Sequence, residues 1–456
     1  MSNEQRSLST GSNGPSVPVL TRHGKCVANN SDLKRQLTVR AVENAMGIRP
    51  PSFRVFREGK TGMMYVPRFF GDPALLDKRV EPAQASIEFV GQLRDSTRQN
   101  EAFRAAIKAF REVGGGVLSL DAGFGKTTCA LAYAAHLKVR TMIIVHKEFL
   151  ANQWKERIGQ FCPGATIGRV QQDTFDIECD FVIAMIQTMC SRENDPKAFD
   201  SIGLVIVDEA HHIGAAAFSQ TMFKLCPRYS LGLTATPDRK DGLTNILYWF
   251  MGPEFFRVQR ENQATTRVET VFFDDPMFRE APPVSRFGKI NMAGMVTQLT
   301  EIPARNQKIL SLVRSLDPSR RVLLLSDRRE HCFWLQNNLK GSAVYLGGMK
   351  EDDLDAASKH VIIIATYSMA QEGLDIPVLD TLVMTTPHSD VTQAVGRIMR
   401  ETPGKVNAPL IIDIVDRWSV FNSMYRKRCV IYKTAGFTGE TNPVGAQEFP
   451  KGKCLL

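Results

Sequence analysis

The amino-acid sequence predicts an α/β protein with two parallel-sheet domains and a small N-terminal accessory domain. Two observations predict the first sheet: an apolar run at 117–120 leads through a glycine-containing loop into a helix-forming segment, and another at 204–207 ends in two carboxylates. Strands that alternate with helices in this way form a parallel sheet covered on both faces. Strand-like runs predict a second sheet near 321–326, 360–366, 381–386 and 409–415.

The order of these patterns predicts five segments along the chain. From the N-terminus they are a flexible tail rich in Ser, Asn, Gly and Pro, an accessory domain, the first sheet domain, a linker or small insertion, and the second sheet domain with a basic C-terminal tail. Their predicted ranges are 1–17, 18–90, 91–257, 258–300 and 301–456.

Within the accessory domain, two short β-type runs at 53–56 and 64–66 flank a glycine-containing turn and predict a hairpin. Basic and aromatic side chains alternate along it. They fit either a nucleic-acid clamp or a small core, and we favour the core. These side chains are Arg54, Phe56, Arg57, Arg68, Phe69 and Phe70.

The loop at 121–128 reads Asp-Ala-Gly-Phe-Gly-Lys-Thr-Thr and has the composition of a phosphate-binding loop. Its glycines let backbone N–H groups approach a phosphate at the N-terminus of the following helix. Lys126 would reach the β- and γ-phosphates of ATP, and the Thr127 hydroxyl would coordinate Mg²⁺. Leu120 replaces the first glycine of the usual pattern, so an ordinary glycine turn is the alternative. The predicted nucleotide-binding residues here are Gly123, Phe124, Gly125, Lys126, Thr127 and Thr128.

A pair of carboxylates, Asp208 and Glu209, ends the second apolar run, 82 residues after Lys126. Two adjacent acids directly after a buried strand fit a site where one carboxylate holds Mg²⁺ and the other orients the attacking water. The alternative is a strand followed by an acidic turn. With the upstream loop, the pair predicts ATP hydrolysis.

With these two motifs in place, the chain resembles the superfamily 2 helicases of the DEAH-box type, over about residues 90–415. The resemblance implies two RecA-like motor domains. It implies that Gln99 reads adenine, that 142–147 and 184–188 contact nucleic acid, and that Thr234 and Thr236 couple hydrolysis to strand engagement. Further matching positions are Gly373 and Asp375 in the fifth motif, and Gln393, Arg397 and Arg400 in the sixth.

Arg397 and Arg400 stand three residues apart, so one helical turn directs both the same way. A guanidinium that stabilises the charge on a transferred phosphoryl group accelerates hydrolysis by about 10³ to 10⁵. The alternative is two solvated helix arginines. Ala394 stands where many relatives carry an arginine. By resemblance, His211 would bridge the nucleotide site to Gln393.

Finer features, including 236–243 and the Asp-Glu-Ala-His-His run at 208–212, resemble the branch that contains the helicase subunit of the eukaryotic transcription and repair factor. The loop at 122–127 is also similar to that of the poxvirus transcript-release helicase and its relatives in other large DNA viruses. These resemblances imply a DNA-dependent ATPase with 3′ to 5′ polarity that works with transcription or replication machinery, with RNA or an RNA–DNA hybrid as alternative tracks. Two other functions stay open: a duplex translocase that does not unwind, and a nucleic-acid scaffold with an inactive ATPase.

The charge distribution fits nucleic-acid contact at both ends of the chain. The net charge is +9, with an excess of five positive charges in 1–90 and of five in 417–456. The run at 425–428 is open between nucleic-acid contact and a solvated helix face.

Several residue types argue against other classes of site. The nine cysteines are scattered without a C-x-x-C pair, which predicts reduced thiols. His211 and His212 lack further ligands at suitable spacing, so no zinc site is expected, and His212 is unassigned. Trp154 and Trp249 are expected in the core.

No secretion signal or membrane span is found, so we expect a soluble, intracellular protein, in the host cytoplasm, nucleus or virion if it is viral.

Overall fold

The computed structural model describes residues 17–42, 49–59, 62–74, 76–120, 124–193, 195, 197–239, 241–258, 266–285, 288, 290–372, 374, 376–399 and 405–439. Residues 1–16 of the predicted tail at 1–17 and the C-terminal residues 440–456 lie outside these ranges. The chain divides into two units, 1–259 and 260–456.

The first unit begins with a small sheet built from short strands. Its elements are β1 (Val19–Thr21), β2 (Gly24–Ala28), α1 (Ser31–Gln36), β3 (Thr38–Val39), β4 (Phe53–Arg54), β5 (Arg57–Glu58), β6 (Met63–Val66) and β7 (Leu76–Asp77). Five strands pair in the order β5-β6-β2-β1-β7, and β3 pairs with β4 separately. The predicted hairpin is present as β5 and β6, with Arg57 opposite Tyr65, while Phe53–Arg54 pairs with β3 instead.

An eight-stranded sheet forms the rest of the first unit, in the order β11-β10-β12-β9-β13-β14-β8-β15. All neighbouring strands are parallel except β10 and β11. The strands are β8 (Gly115–Leu120), β9 (Thr141–Val145), β10 (Ile167–Gln171), β11 (Thr174–Phe175), β12 (Phe181–Met185), β13 (Leu204–Val207), β14 (Tyr229–Thr234) and β15 (Glu254–Val258). The helices are α2 (Gln99–Glu112), α3 (Lys126–Leu137), α4 (Glu148–Phe161), α5 (Ile186–Ser191), α6 (Ala216–Thr221) and α7 (Thr244–Met251).

The continuous apolar strands of this sheet are buried on both faces, as a parallel sheet requires. Successive residues alternate between two cores: Ile143 packs with α2, α3 and α4, whereas Ile144 packs with α5, α6 and α7. The second core also contains Val55, Phe56 and other residues of the N-terminal sheet. The N-terminal strands and the eight-stranded sheet therefore share one hydrophobic core.

The basic and aromatic side chains of the N-terminal hairpin divide between two environments. Phe56 is buried in the shared core. Arg57 donates from Nη2 to the Gln220 carbonyl at 2.7 Å, and Arg68 donates to the carbonyls of Pro227 and Arg228 at 3.0 and 2.9 Å. Burial lowers the pKa of Arg68 to about 10. Phe56 thus belongs to the core, and Arg57 and Arg68 bind backbone carbonyls. The choice between core and clamp stays a prediction for the hairpin as a whole.

The second unit is a six-stranded parallel sheet in the order β16-β21-β20-β17-β19-β18. Its strands are β16 (Arg267–Phe273), β17 (Val322–Ser326), β18 (Ser342–Tyr345), β19 (Ile362–Thr366), β20 (Thr381–Met384) and β21 (Leu410–Asp416). Its helices are α8 (Met292–Glu301), α9 (Pro303–Arg314), α10 (Arg329–Asn338), α11 (Glu351–Ser358), α12 (Tyr367–Glu372), α13 (Thr392–Ile398) and α14 (Phe421–Thr434). Alternate residues of the central strands again fill separate cores on the two faces.

The four predicted strands of the second sheet correspond to β17, β19, β20 and β21. Two further strands were not predicted. β16 lies within 258–300, which the sequence assigned to a linker or small insertion, but it pairs with β21 along its full length from Arg267 to Phe273. β18 is only four residues long. These two strands form the edges of the second sheet.

The described part of the chain contains no helix long and apolar enough to cross a membrane. Eight cysteines lie within it, and all eight are free thiols.

Candidate nucleotide site

The predicted catalytic residues of the first unit lie along one edge of its sheet. β8, β14 and β13 are adjacent and parallel, so the loop before Lys126, the Thr234 side chain and Asp208 all follow the carboxyl ends of neighbouring strands. This edge is where open α/β sheets bind their ligands. Three motifs that are distant in sequence therefore meet in space.

The phosphate-binding loop turns at Gly125, which has a φ of 82° and caps α3. A Cβ at this position would lie 2.4 Å from Gln99 Nε2, so glycine is needed both for the left-handed backbone and for the close approach. Helix α3 begins at Lys126 and directs its N–H groups toward the loop. Phe124, Thr127 and Thr128 are partly buried around it, and Gly123 lies outside the described residues.

Lys126 is held by the backbone at the end of β8. Its Nζ donates to the Leu120 carbonyl at 2.9 Å. Leu120, which stands in place of the usual first glycine, is the last residue of β8 and is buried. The lysine therefore lies beside the end of this strand.

Gln99 is buried and uses both ends of its amide within the protein. Its Oε1 accepts from the Arg94 N–H at 2.9 Å, and its Nε2 donates to the Phe124 carbonyl at 2.8 Å. In this conformation Gln99 holds the Phe124 carbonyl next to Gly125. Its expected contact with adenine stays a prediction.

Asp208 is positioned by a tryptophan. Trp154 on α4 is buried, as expected, and its indole Nε1 donates to Asp208 Oδ2 at 2.9 Å, while the Glu209 N–H donates to Oδ1 at 3.0 Å. Burial raises the pKa of the Asp208 carboxyl, and the Glu209 charge raises it further, whereas Trp154 and Lys126 oppose the shift. The sequence placed Trp154 in the core but gave no signal for this hydrogen bond, which joins residues 54 positions apart.

Glu209 combines backbone strain with an unsatisfied side-chain oxygen. Its φ of 48° and ψ of 52° lie in the left-handed region, which costs a non-glycine residue about 1–2 kcal/mol. Among the described residues its buried Oε2 has no hydrogen-bond partner, and the His211 Nδ1 lies 3.4 Å away. A buried carboxylate oxygen held in this way fits a group that waits for a ligand or a reactant water.

His211 and Thr234, two of the predicted coupling residues, contact each other. The His211 Nδ1 lies 3.1 Å from Thr234 Oγ1, which also accepts from the Thr236 N–H at 3.1 Å. Arg239 donates to the His211 carbonyl and pairs with Asp241. Burial lowers the pKa of His211 to about 4, so this histidine is neutral at pH 7. The sequence did not single out Arg239 as a support of this contact.

The sixth-motif residues lie in the second unit. Gln393 and Arg397 are on α13 and partly buried, and Arg397 Nε donates to the Ala370 carbonyl at 2.6 Å. Gly373, Asp375 and Arg400 lie outside the described residues. The proposed catalytic roles of these residues stay predictions.

The residues of the basic run at 425–428 have different environments on α14. Arg428 is buried and pairs with both oxygens of Asp413 at 2.8 Å, so it belongs to the core of the second unit. Arg426 and Lys427 are exposed. Only the exposed pair keeps the open choice between nucleic-acid contact and a solvated face.

The residues at the sheet edge of the first unit fit ATP and Mg²⁺. The Gly125 turn opens the backbone to a phosphate at the start of α3, Lys126 adds a cation, and the Asp208 and Thr127 oxygens are of the type that Mg²⁺ prefers. The unpartnered Glu209 oxygen fits an adjacent base. A separate transition-metal site is not indicated, because no described group of three or more His, Cys, Asp or Glu side chains is arranged to hold one.

Comparisons with known proteins agree with this chemistry. A family model described as "Type III restriction enzyme, res subunit" matches residues 92–239. The chain is 31% identical over 382 residues to "Putative ATP-dependent RNA helicase L396" of Acanthamoeba polyphaga mimivirus, covering 80% of this chain and 72% of that protein. It is 30% identical over 380 residues to "Putative helicase 161L" of Invertebrate iridescent virus 6, covering 77% of this chain and 83% of that protein.

A more distant relative is "Putative ATP-dependent RNA helicase QP509L" of African swine fever virus, which is 25% identical over 70% of this chain and 69% of that protein. The SWI2/SNF2 ATPase core of Sulfolobus solfataricus in complex with double-stranded DNA aligns with 74% of this chain and 90% of that structure, with 13% identity and a TM-score of 0.37. This structural similarity is too low to add to the assignment.

The fold and the candidate nucleotide site fit an ATPase of the α/β class. The chain belongs to the superfamily 2 helicases. It is accordingly an ATP-hydrolysing helicase that binds nucleic acid.

Proposed function

We propose that this helicase uses MgATP to move 3′ to 5′ along DNA, separating strands or releasing a transcript. The observation that carries the catalytic part is the Asp208–Glu209 pair. One carboxylate is fixed by Trp154, and the other is held in a strained backbone with a buried oxygen that has no partner among the described residues. Strain of this kind persists where the surrounding structure maintains it for function.

The proposed roles follow from the chemistry of the side chains. Backbone N–H groups at 123–128 and Lys126 bind the phosphates, and Thr127 and Asp208 hold Mg²⁺, which neutralises phosphate charge when bound. Glu209 orients the attacking water and accepts its proton. Gln99 selects adenine, and Gly373 and Asp375 complete nucleotide binding. Arg397 and Arg400 stabilise the charge on the transferred phosphoryl oxygens.

We further propose that the segments after β9 and β12 contact the nucleic acid. His146 and Lys147 follow β9, and Gln187 lies in the first turn of α5, which follows β12. They lie at the same sheet edge as the nucleotide site, because β9, β12 and β13 are parallel neighbours in that sheet. Lys147 supplies positive charge for a phosphate backbone. The Gln187 amide donates to the His146 carbonyl at 2.8 Å, so the two segments form one surface.

The relatives favour a viral role. They come from large DNA viruses, and two are named as RNA helicases, so transcription is the process we propose, with DNA repair or recombination as the alternative. Transcription or replication machinery would be the partner, inside the infected cell.

The test is strand separation on duplexes with a single-stranded 3′ or 5′ tail, in DNA, RNA and hybrid form. We expect ATP-dependent separation of the DNA duplex with a 3′ tail. Lys126→Ala is the control, and it should abolish separation while leaving salt-sensitive nucleic-acid binding largely intact. Separation from the 5′ tail alone would reverse the polarity. ATP hydrolysis without separation on any substrate would replace the helicase proposal with a duplex translocase.

A further inference from the structure

Three histidine rings contact one another in a tilted stack beside the proposed catalytic carboxylates of the first unit. The ring centroids of His146 and His212 are 4.5 Å apart, and those of His212 and His211 are 4.3 Å apart, with interplanar angles of 52° and 38°. His212 is the central ring. It joins residues from two motifs that lie 66 positions apart in the sequence.

One end of this stack lies at the proposed nucleic-acid surface. His146 directly precedes Lys147, and its carbonyl accepts the hydrogen bond from the Gln187 side chain at 2.8 Å. A strand that displaces either the 146–147 segment or the start of α5 would therefore change the position of the His146 ring.

The other end of the stack contacts the catalytic machinery. The His211 Nδ1 lies 3.4 Å from Glu209 Oε2 and 3.1 Å from Thr234 Oγ1. Arg239 holds the His211 carbonyl, so the backbone at this point is anchored while the ring remains in contact with Glu209. A small displacement of the His211 ring would alter the surroundings of the Glu209 oxygen that has no hydrogen-bond partner in the described structure.

The stack is a packed aromatic contact of uncharged rings. Burial lowers the pKa of all three histidines, to about 4 for His211 and about 3 for His212, and the neighbouring histidines and cations add to the shift. The three rings are partly buried and their neighbouring centroids lie 4.3 and 4.5 Å apart, so a displacement of one ring is expected to move the next.

We propose that His212 is a positioning residue that links nucleic-acid binding to ATP hydrolysis: its ring passes a displacement of His146 to His211 and thus to Glu209. This inference rests on the proposed nucleic-acid surface at 146–147 and 187.

The experiment measures the ATPase rate with and without the stimulating nucleic acid in His212→Ala, His212→Phe and wild-type protein. We expect His212→Ala to retain the basal rate and the thermal midpoint but to lose about fivefold or more of the stimulation, the size of a typical coupling between sites. His212→Phe keeps a flat ring and should restore most of the stimulation. His136→Ala, which removes an exposed histidine of the same unit, is the matched control.

A wild-type rate that no nucleic acid stimulates would contradict the proposed function itself. Normal stimulation of His212→Ala, with a stimulated wild type, would overturn the coupling role while leaving the proposed function intact. A loss in His212→Phe equal to that in His212→Ala would also overturn the ring-stacking mechanism.

A double-mutant cycle tests whether His146 and His212 act together. The double variant His146→Ala, His212→Ala should show the same stimulation ratio as the single variant with the lower ratio, because either change interrupts the same contact. Multiplicative losses would show independent effects and would overturn the proposed link.

Discussion

The two large sheets of this protein both carry acidic residues that are partly or fully buried, but they use them differently. In the second unit, Arg305 donates to the two oxygens of Asp416 at 2.7 and 2.8 Å, and Arg428 forms a similar pair with Asp413, which also accepts from Tyr432 at 2.9 Å. In the first unit, Asp208 accepts only neutral N–H groups in the described structure, and Glu209 Oε2 accepts none.

This difference separates structural charge from functional charge. A buried carboxylate that is paired with arginine stabilises one arrangement of the chain and offers nothing to a ligand. A carboxylate that lacks a cationic partner and is held by a strained backbone is costly unless a ligand completes it. We therefore expect substitutions at the sheet edge of the first unit to change catalysis, and substitutions of the buried pairs in the second unit to change stability.

Glu209→Gln should have the largest effect. Removing the base should lower the ATPase rate by about 10³, within the usual range for general-base catalysis, because the amide cannot accept the proton of the attacking water. Steady-state phosphate release measures the rate, and equilibrium binding of a fluorescent ATP analogue should be nearly unchanged. A variant that hydrolyses ATP at the wild-type rate would contradict the catalytic role of this carboxylate.

Asp413→Ala should destabilise the protein by about 3–5 kcal/mol, because it leaves the buried guanidinium of Arg428 without its partner. Urea-induced unfolding monitored by far-UV circular dichroism measures the loss. The matched control is Asp355→Ala, whose exposed pair with Lys359 should contribute less than about 1 kcal/mol. Equal losses in the two variants would contradict the structural role of the buried pair.

His331 makes the second unit sensitive to acid. Its ring lies between Ser326 Oγ at 3.0 Å and Asn306 Oδ1 at 3.2 Å, and burial lowers its pKa to about 3. Below about pH 6.5 this histidine is protonated in the unfolded chain but stays neutral in the folded chain. The free energy of unfolding therefore decreases as the pH falls from 6.5 toward 3. The loss should reach about 2 kcal/mol at pH 5.

Unfolding free energies between pH 7 and pH 4 measure this effect. His331→Gln should flatten the pH dependence. An identical slope in His331→Gln and the wild type would contradict the assignment.

Trp154→Phe should have the smallest effect of this series. Phenylalanine fills most of the buried site but cannot donate to Asp208, so we expect a loss of about 1 kcal/mol in positioning, which corresponds to about a fivefold higher Mg²⁺ concentration for half-maximal activity. The Mg²⁺ dependence of nucleotide binding and of phosphate release measures it. Trp249→Phe is the control, and a matching shift there would show a packing effect.

The sequence predicted the parts of this molecule that depend on local pattern. The apolar runs at β8 and β13, the glycine turn at Gly125 and the acids at 208 and 209 are all contiguous signals, and the structure brings them to one sheet edge. It missed β16 because an edge strand with mostly half-buried residues lacks a continuous apolar run, and it missed β18 because that strand is short.

The contacts that position the site were beyond sequence reasoning. The hydrogen bond from Trp154 to Asp208 and the ring contact between His146 and His212 join residues far apart in the chain, and no periodicity indicates either. The sequence also could not show which cations of the run at 425–428 are structural. Only the structure shows that Arg428 is buried and paired with Asp413.

Steady-state ATP hydrolysis tests the central claim most directly, with no nucleic acid or with single-stranded DNA, duplex DNA, single-stranded RNA or an RNA–DNA hybrid, and with Lys126→Ala as the blank. We predict a rate that one of these polymers stimulates and that Lys126→Ala abolishes. A rate that persists in Lys126→Ala, or that is the same with every polymer and with none, would contradict the account of the sheet edge as a nucleic-acid-coupled ATPase site.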